Sequence, residues 1–396
     1  MINVTGLDDA AAVIADAMEQ QQHLGVQATA TKAALGRDAD YGEVINVSAF
    51  SGIIDYQPDE LILTLRAGTP MQEVESTLAS ANQMLAFEVP DLHKILASQS
   101  AGTIGGVLAT NASGPRRLTA GAARDYLLGF DAISGRGERF KSGGKVMKNV
   151  TGYDLSKLIC GSYGTLAVFD EVTFKTLPRP ETNISLLFGC EDMTAAVAKI
   201  ASVFASPHEP NAAAIIPGSM AASAGVDLPG AMVVIIRLEG IDGSVTDRAL
   251  HLLALDPSGN EIDENSSSAL WQRIRDVELL VNQPGDVWKL SCAPAAAPNI
   301  IAAVQNQFDI TFFADWAGGL LWLAGPSGAS FGTALRAALA DNGSGYAQLV
   351  RDRADTKTVI APFQPLSPAH YALHKRVKAA FDPLSVLNLG RMHDGI

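Results

Sequence analysis

The glycine-rich turn Ala101-Gly102-Thr103-Ile104-Gly105-Gly106 is the part of the sequence best suited to bind a ligand, and it continues to Asn111 and Gly114. Glycines allow backbone N–H groups to approach a phosphate or diphosphate without an intervening Cβ, and Thr103 adds a hydroxyl. A P-loop would end in Gly-Lys-Ser/Thr, and a Rossmann fingerprint would follow an N-terminal strand; this turn fits neither pattern. We therefore predict a phosphate-bearing cofactor here, held by a different motif.

Two further glycine-containing segments follow in order. Gly121 to Gly129 has the pattern G-x-x-R-D-x-x-L-G, and a longer segment runs from Lys148 through Gly161-Ser162-Tyr163-Gly164-Thr165 to Val172. The first turn has the pattern T-I-G-G-x-x-A-x-N-x-x-G. Together, the three motifs resemble the FAD-binding domain of the vanillyl-alcohol-oxidase (PCMH-type) family.

That resemblance implies FAD as cofactor and an α+β fold. The fold would combine a PCMH-type FAD-binding domain of two α/β subdomains, an inserted α/β cap domain and a C-terminal tail that returns to the FAD domain. The first turn would lie against the FAD diphosphate, and the tail Asn388–Arg391 would lie at the isoalloxazine end, with Leu389 where the family usually has proline. The residues assigned to FAD binding in this way are Thr103, Ile104, Gly105, Gly106, Asn111, Gly114, Gly161, Gly164, Thr165, Val172, Asn388 and Arg391.

The first phosphate loop departs from the family pattern. The family usually has a run of glycines near the N-terminus, whereas this chain has Ala28-Thr29-Ala30-Thr31-Lys32. Each alanine Cβ limits close backbone approach, while the hydroxyls and Lys32 can replace some of the contacts. We therefore expect FAD to be held less tightly than by a glycine run. The loop contains no histidine, so we expect no covalent histidyl-flavin in it.

Within the family, the resemblance is greatest to the FAD-binding (E-type) subunits of bacterial glycolate oxidases. It rests on Gly114-Pro115-Arg116-Arg117, Val146–Val150, Phe381-Asp382-Pro383 and the tail. It implies two partners: a second flavoprotein (D-type) subunit that oxidises glycolate to glyoxylate, and an iron–sulfur (F-type) subunit that accepts the electrons. The three cysteines of this chain include no C-x-x-C pair, as expected if the clusters lie in another subunit.

The histidines indicate which subunit oxidises the substrate. D-type subunits carry a segment of the type H-x-G-D-G-N-x-H that supplies metal ligands and a catalytic base, and no such cluster is present here. We expect the main oxidation to take place in the partner, and we assign no catalytic residue to this chain. Two alternatives stay open: a self-sufficient FAD-dependent oxidoreductase acting on another 2-hydroxy acid or alcohol, and a non-catalytic scaffold that has lost its flavin.

Several other residues allow two interpretations. Arg116-Arg117 could clamp a carboxylate, but a surface or subunit-interface role is favoured, and Lys148 could lie near the flavin or in solvent. His370 and His374 share one helix face, yet no third ligand is apparent, so we predict no metal site. The four tryptophans, all in the second half of the chain, are most simply interpreted as core residues.

Composition limits the remaining function classes. A net charge of −13 and a pI near 5.0 argue against nucleic acid or an anionic membrane as the main partner. The longest apolar runs fall short of a membrane span. We expect a cytoplasmic protein whose contact with a membrane, if any, is indirect and made through the complex.

The elements that must position these residues are strands and helices in two series, separated by Pro178-Arg179-Pro180. We predict a FAD-binding domain over 1–178, an inserted domain over 181–359, and a C-terminal helix and tail over 360–396 that pack back on the FAD domain. Thr69 is predicted to cap a helix that begins near Pro70, and Ser367 a helix that begins at Pro368.

Overall fold

A computed structural model of the chain describes residues 1–145 and 153–396. Lys148 and the start of the third motif, up to Gly152, lie outside the described residues. The strands within those ranges are β1 (Ile2–Asn3), β2 (Leu24–Gln27), β3 (Glu43–Asn46), β4 (Ile53–Gln57), β5 (Ile62–Arg66), β6 (Gln83–Met84), β7 (Leu127–Ser134), β8 (Arg139–Gly143), β9 (Ala167–Lys175), β10 (Leu177–Pro178), β11 (Thr182–Cys190), β12 (Ala212–Pro217), β13 (Met232–Gly240), β14 (Asn260–Ile262), β15 (Asp286–Ser291), β16 (Thr311–Asp315), β17 (Leu320–Gly325) and β18 (Tyr346–Arg351).

The helices in the same ranges are α1 (Leu7–Gln20), α2 (Met71–Ser80), α3 (His93–Leu96), α4 (Ile104–Thr110), α5 (Arg117–Ala120), α6 (Ala123–Tyr126), α7 (Leu155–Ile159), α8 (Met193–Phe204), α9 (Gly218–Ala224), α10 (Asp242–Leu255), α11 (Glu264–Arg275), α12 (Ala297–Gln305), α13 (Ala329–Asp341) and α14 (Pro368–Phe381). None of these described helices is long and apolar enough to cross a membrane.

The N-terminal half contains two main sheets over its described residues. The first is parallel, with strand order β1-β3-β2, and its core includes Leu24, Ile45 and Phe50. The second is antiparallel, with order β4-β5-β9-β7-β8, and it packs around Leu63 and Phe174. The turn that leads into α4 lies where the edges of these two units meet, so it is held by both.

The second half is built on one large sheet with strand order β14-β11-β13-β12-β16-β17-β15-β18, in which every described pairing is antiparallel. Helices α8, α10, α12 and α13 bury their apolar sides against one face. The other face packs against α9 and α11, and also against Leu35 and Ile95 of the N-terminal half. All strands of this sheet fall between residues 182 and 351, and the domain boundaries themselves stay predictions.

The C-terminal helix and tail return to the N-terminal half. Ser367 caps α14 as predicted, since its hydroxyl accepts the His370 N–H at 3.3 Å. Near the end of the helix, the buried Lys378 ammonium donates to Asp382 and to the carbonyl oxygens of Thr165 and Leu387 at 2.6–2.7 Å. These bonds fix the tail before it reaches the residues predicted to bind FAD.

The predicted cap of α2 is wrong. The helix begins at Met71 with Pro70 as its N-cap residue, and no side chain caps it. The Thr69 hydroxyl instead accepts the Gly52 N–H at 2.9 Å and donates to the Arg66 carbonyl at 2.7 Å. The Met71 N–H donates to the Gly102 carbonyl at 3.0 Å, and the Thr69 hydroxyl is used by Gly52 and Arg66, so Thr69 does not act as the cap.

A buried ion-pair network joins the two halves. Glu88 of the N-terminal half accepts two hydrogen bonds from Arg237 on β13, at 2.8 and 2.7 Å, and Arg116 clamps Glu239 through Nε and Nη2 at 2.8 and 2.6 Å. Arg116 therefore does bind a carboxylate in bidentate fashion, but this carboxylate belongs to the chain itself. The Arg116–Glu239 pair lies at the interface between the two halves.

Candidate cofactor site

A cavity lies where the three-stranded sheet, the start of α4 and the C-terminal tail meet. Its empty volume is about 1020 Å³, a figure that includes the open solvent at its mouth. Its walls comprise the β2 segment and the loop after it (Gly25–Ala33), Tyr41, Val44, Val47, Ala67, the turn residues Thr103, Gly105 and Gly106, Ala109, Thr110, Tyr163, Gly164, Ala167–Phe169, Asn388 and Arg391.

The glycine-rich turn is shaped by a close backbone contact. The Gly105 N–H donates to the Ala67 carbonyl at 2.7 Å, and a Cβ on Gly105 would lie 2.7 Å from that same oxygen. Thr103 caps α4, because its hydroxyl accepts the Gly106 N–H at 3.3 Å. A Cβ on Gly106 would meet nothing nearer than 3.7 Å, so this glycine leaves space within the cavity wall.

Lys32 brings a positive charge directly to this turn. Its Nζ lies 3.1 Å from the position that a Cβ on Gly102 would take and 3.7 Å from that on Gly106. Its one hydrogen bond among the described residues is a 3.4 Å contact with the Ala101 carbonyl. Burial lowers the pKa of the ammonium, and the more distant Asp91 partly offsets this effect.

The charge of the cavity is opposite to that of the protein. Lys32 and Arg391 are its charged lining residues, and no Asp or Glu is among the described residues that line it, although the chain carries a net charge of −13. A partly buried ammonium beside a glycine that carries no Cβ is suited to an anionic group such as a diphosphate. The charge of the cavity is therefore compatible with an anionic cofactor.

The tail closes one end of the cavity. Asn388 accepts the Val26 N–H at 2.9 Å and donates to the Tyr163 carbonyl at 2.8 Å. Arg391 donates to the carbonyl oxygens of Lys32 and Ala33 at 3.0 and 2.7 Å. Both predicted tail residues therefore line the cavity and also hold the phosphate loop and the Tyr163 turn in place.

Two tyrosines in the wall were not predicted from the sequence. The Tyr163 hydroxyl accepts a 2.9 Å hydrogen bond from Gln348, and burial raises its pKa to about 12, so it is neutral at physiological pH. The Tyr41 hydroxyl is buried and has no hydrogen-bond partner among the described residues. A buried hydroxyl normally has a hydrogen-bond partner. The Tyr41 hydroxyl is therefore available to bond a polar group of a ligand in the cavity. Its position in an irregular loop gave no sequence signal.

The predicted site residues divide into two sets. Thr103, Gly105, Gly106, Gly164, Asn388 and Arg391 line the cavity. The others are not among its lining residues: Ile104, Asn111, Gly114, Gly161, Thr165 and Val172. Of these, Ile104 and Val172 are fully buried in the core, and Asn111 ends α4 in a left-handed conformation with φ of 47°. Contact between these residues and the cofactor stays a prediction.

Comparison with known proteins identifies the family. A profile described as an FAD binding domain matches residues 1–143. The glycolate oxidase subunit GlcE of Escherichia coli (strain K12) is 34% identical over 378 residues, which cover 95% of this chain and 94% of that protein. The chain belongs to the GlcE family. The glycolate oxidase subunit GlcD of Bacillus subtilis (strain 168) is 32% identical over 165 residues, 42% of this GlcE-family chain and 34% of GlcD.

Solved structures show the same fold at low sequence identity. A p-cresol methylhydroxylase with substrate bound superposes with a TM-score of 0.71 at 14% identity, covering 99% of this chain and 88% of that one. A 4-ethylphenol oxidase from Gulosibacter chungangensis has a TM-score of 0.71 at 12% identity, covering 98% and 88%. The predicted PCMH-type fold is therefore confirmed, as is FAD as the cofactor of this GlcE-family protein.

Proposed function

We propose that this chain is the FAD-binding subunit of a multi-subunit glycolate oxidase (glycolate dehydrogenase), and that a second flavoprotein subunit carries out the main oxidation of glycolate to glyoxylate. An iron–sulfur subunit accepts the electrons. The observation that supports this proposal most is the match to a glycolate oxidase subunit over nearly the whole chain, combined with a cavity whose charged lining residues are Lys32 and Arg391. The chain acts in the cytoplasm, and contact with a membrane is made through the other subunits.

In this proposal the cavity holds FAD through groups of this chain. Lys32 binds the diphosphate, Gly106 leaves space for it because it carries no Cβ, Thr103 orders the turn, and Tyr41 donates to a polar group of the cofactor. Asn388 and Arg391 position the tail across the cavity and limit the entry of water. When bound, the flavin supplies the redox chemistry, and the protein supplies binding, orientation and charge.

The distribution of histidines supports the assignment of substrate oxidation to a partner. No histidine is among the described residues that line the cavity. His208 stacks on His251 at 5.5 Å and His374 packs edge-on against His393 at 5.9 Å, both away from the cavity lining. A general base must lie within hydrogen-bonding reach of the proton that it takes, so these histidines are not placed for that role.

A reconstitution experiment tests this function. The chain is expressed alone and together with the second flavoprotein and the iron–sulfur subunit from the same organism, and glycolate-dependent reduction of a dye is measured. We expect the three subunits to co-purify, and full activity to require this chain loaded with FAD. Turnover of glycolate or D-lactate by the isolated chain at the rate of the complex would show a self-sufficient enzyme instead.

A further inference from the structure

Lys289 lies on the face of the large sheet that meets the N-terminal half. Side chains alternate along β15, so Trp288 and Leu290 pack under the helices, whereas Val287 and Lys289 point to the opposite face. Leu35 of the N-terminal half packs on that second face. A lysine in the middle of a sheet that faces another part of the same chain is uncommon, and its charge is normally paired with an anionic group.

Aromatic rings surround this lysine. Its Nζ lies 5.2 Å from the ring centroid of Trp316 and 5.6 Å from that of Trp322. The guanidinium carbon of Arg117, from α5 of the N-terminal half, lies 4.8 Å from the same Trp316 ring. Two cations from different halves of the molecule thus contact one indole ring.

The Trp316 ring is held in place by its own hydrogen bonds. Its Nε1 donates to the Gly114 carbonyl at 3.0 Å, and its backbone N–H donates to Asp315 at 2.7 Å. Its φ is +50°, a left-handed conformation that is unfavourable for a bulky residue. Such a conformation persists only where the surrounding contacts fix it, so the position of the ring is specified by the fold.

Neither cation has an acceptor among the residues described in the structure: no hydrogen bond or ion pair involves the Lys289 ammonium or the Arg117 guanidinium. Two fully buried cations are matched by carboxylates, in the Arg237–Glu88 and Lys378–Asp382 pairs. Lys199 also lies over an aromatic ring, 5.3 Å from Phe188, yet it pairs with Asp256. A cation–π contact therefore does not by itself account for a missing carboxylate.

The local electrostatics favour a bound anion. Burial and repulsion by Arg117 lower the pKa of Lys289 to about 8, and the nearby Asp315 offsets only part of this effect. The Asp315 carboxyl is itself buried, with its pKa raised to about 7, and it accepts the Trp316 N–H. Two cations without a contacting carboxylate repel each other, and an anion between them would replace that repulsion with charge-assisted hydrogen bonds.

The cluster lies next to the cofactor cavity. Gln348 on β18 stands directly opposite Lys289 in the sheet, and Trp322 stands opposite on the other side. The Gln348 side chain donates to the Tyr163 hydroxyl at 2.9 Å, and Tyr163 lines the cavity. The Gln348–Tyr163 hydrogen bond thus joins the strand position next to Lys289 to the wall of the candidate cofactor cavity.

We propose that Lys289 and Arg117 bind the carboxylate of a small organic acid, with Trp316 and Trp322 as apolar walls. One ammonium and one guanidinium match a carboxylate, and the two indole rings suit an anion attached to carbon better than an inorganic anion. This proposal goes beyond the proposed function, which requires only FAD, because it gives the chain a second ligand of its own.

Tryptophan fluorescence tests the proposal on the FAD-loaded chain, since two of the four tryptophans lie in the cluster. Sodium glycolate and sodium acetate are expected to produce a saturable change. Ethylene glycol, which lacks the carboxylate, and sodium sulfate at matched ionic strength are expected to produce none. Wild-type protein that shows no saturable change with either carboxylate overturns the proposal, as does sulfate that binds as tightly as glycolate.

Variants locate the binding. Lys289→Met and Arg117→Met should each weaken glycolate binding by about 10-fold to 100-fold, the loss of one charge-assisted hydrogen bond. Lys199→Met is the matched control and should bind glycolate like the wild type. Far-UV circular dichroism and the flavin spectrum establish that each variant is folded and loaded. Unchanged affinity in a folded Lys289 or Arg117 variant overturns the proposal. Reconstitution of the complex with the same preparations tests the proposed function separately.

Discussion

The side chain of Asn388 donates a hydrogen bond to the carbonyl oxygen of Tyr163 at 2.8 Å, across 225 residues of sequence. The same amide accepts the N–H of Val26 at 2.9 Å, so one side chain of the tail joins two walls of the cofactor cavity. The tail backbone also bonds to β2, because the Asn388 N–H donates to the Leu24 carbonyl at 2.9 Å. The C-terminal tail is therefore part of the wall of the candidate cofactor site.

Replacing Asn388 with alanine removes both side-chain bonds. We expect the free energy of unfolding to fall by about 1–3 kcal/mol, because partly buried groups at Val26 and Tyr163 lose their partners. We also expect weaker FAD binding, measured by titrating the apoprotein with FAD and following flavin fluorescence. Asn342→Ala, at the end of α13, is the control and should leave FAD affinity unchanged. Wild-type affinity in Asn388→Ala would mean that the tail does not shape the site.

Gly105 and Gly106 are predicted to respond differently to alanine. A Cβ on Gly105 would lie 2.7 Å from the Ala67 carbonyl oxygen, so Gly105→Ala should destabilise the fold itself, and thermal denaturation of the apoprotein should show a lower Tm. A Cβ on Gly106 has open space but would project from the cavity wall. Gly106→Ala should therefore keep the Tm of the apoprotein and lose FAD affinity. Equal effects of the two variants on both measurements would contradict this account.

Lys32 is predicted to bind the cofactor by its charge. Lys32→Met keeps most of the side-chain volume and removes the ammonium, so FAD affinity should fall by about 10-fold to 100-fold, as expected for a charge-assisted hydrogen bond. The affinity of the wild type should also weaken with added salt more steeply than that of the variant. Lys94→Met, which removes a lysine paired with Glu278 on the surface, is the control. FAD affinity unchanged in Lys32→Met would show that the backbone alone binds the diphosphate.

The Glu88–Arg237 pair is predicted to stabilise the contact between the two halves. Burial opposes ionisation of Glu88, but the charge and hydrogen bonds of Arg237 and Arg116 outweigh it and lower its pKa to about 2. Glu88→Gln leaves two buried arginines, Arg237 and Arg116, to share the Glu239 carboxylate, and should cost about 3–5 kcal/mol of unfolding free energy. Glu278→Gln breaks a more exposed pair and should cost about 0–1 kcal/mol.

The same pair gives a pH dependence whose sign follows from the lowered pKa. Glu88 contributes its full stabilisation above the pKa of an unfolded glutamate, and this contribution is lost as the pH falls toward about 2. The wild type should therefore lose stability on acidification more steeply than Glu88→Gln, as measured by denaturant unfolding at a series of pH values. If the free energy of unfolding of the two proteins fell in parallel as the pH is lowered, the Glu88–Arg237 pair would not be the source of this pH dependence.

The sequence predicted those parts of the site that depend on local backbone chemistry. A glycine at position 105 is required by a close approach to Ala67, and the capping hydroxyl of Thr103 acts within the same turn, so a short motif reveals both. The helix that begins at Pro368 was likewise predictable, because Ser367 caps it locally. The resemblance to a family added the tail residues Asn388 and Arg391, which no local pattern would connect to the turn.

Other parts depend on contacts that a linear pattern does not reveal. Thr69 looked like a helix cap, but its hydroxyl bonds Gly52, which folding brings beside it. Tyr41 lies in an irregular loop, and its role follows only from the unmatched hydroxyl in the cavity wall. Trp316 was expected in the core, yet it is half-buried, and both Lys289 and Arg117 lie within about 5 Å of its ring centroid, Arg117 from the N-terminal half.

We propose that this flavoprotein depends on a partner for the oxidation of glycolate. Anaerobic mixing of the FAD-loaded chain with glycolate in a stopped-flow instrument, following the visible flavin absorption band, tests this dependence. We expect the band to persist with the chain alone and to bleach once the second flavoprotein subunit is added. Bleaching by glycolate in the isolated chain, at a rate matching turnover of the complex, would show that no partner is needed.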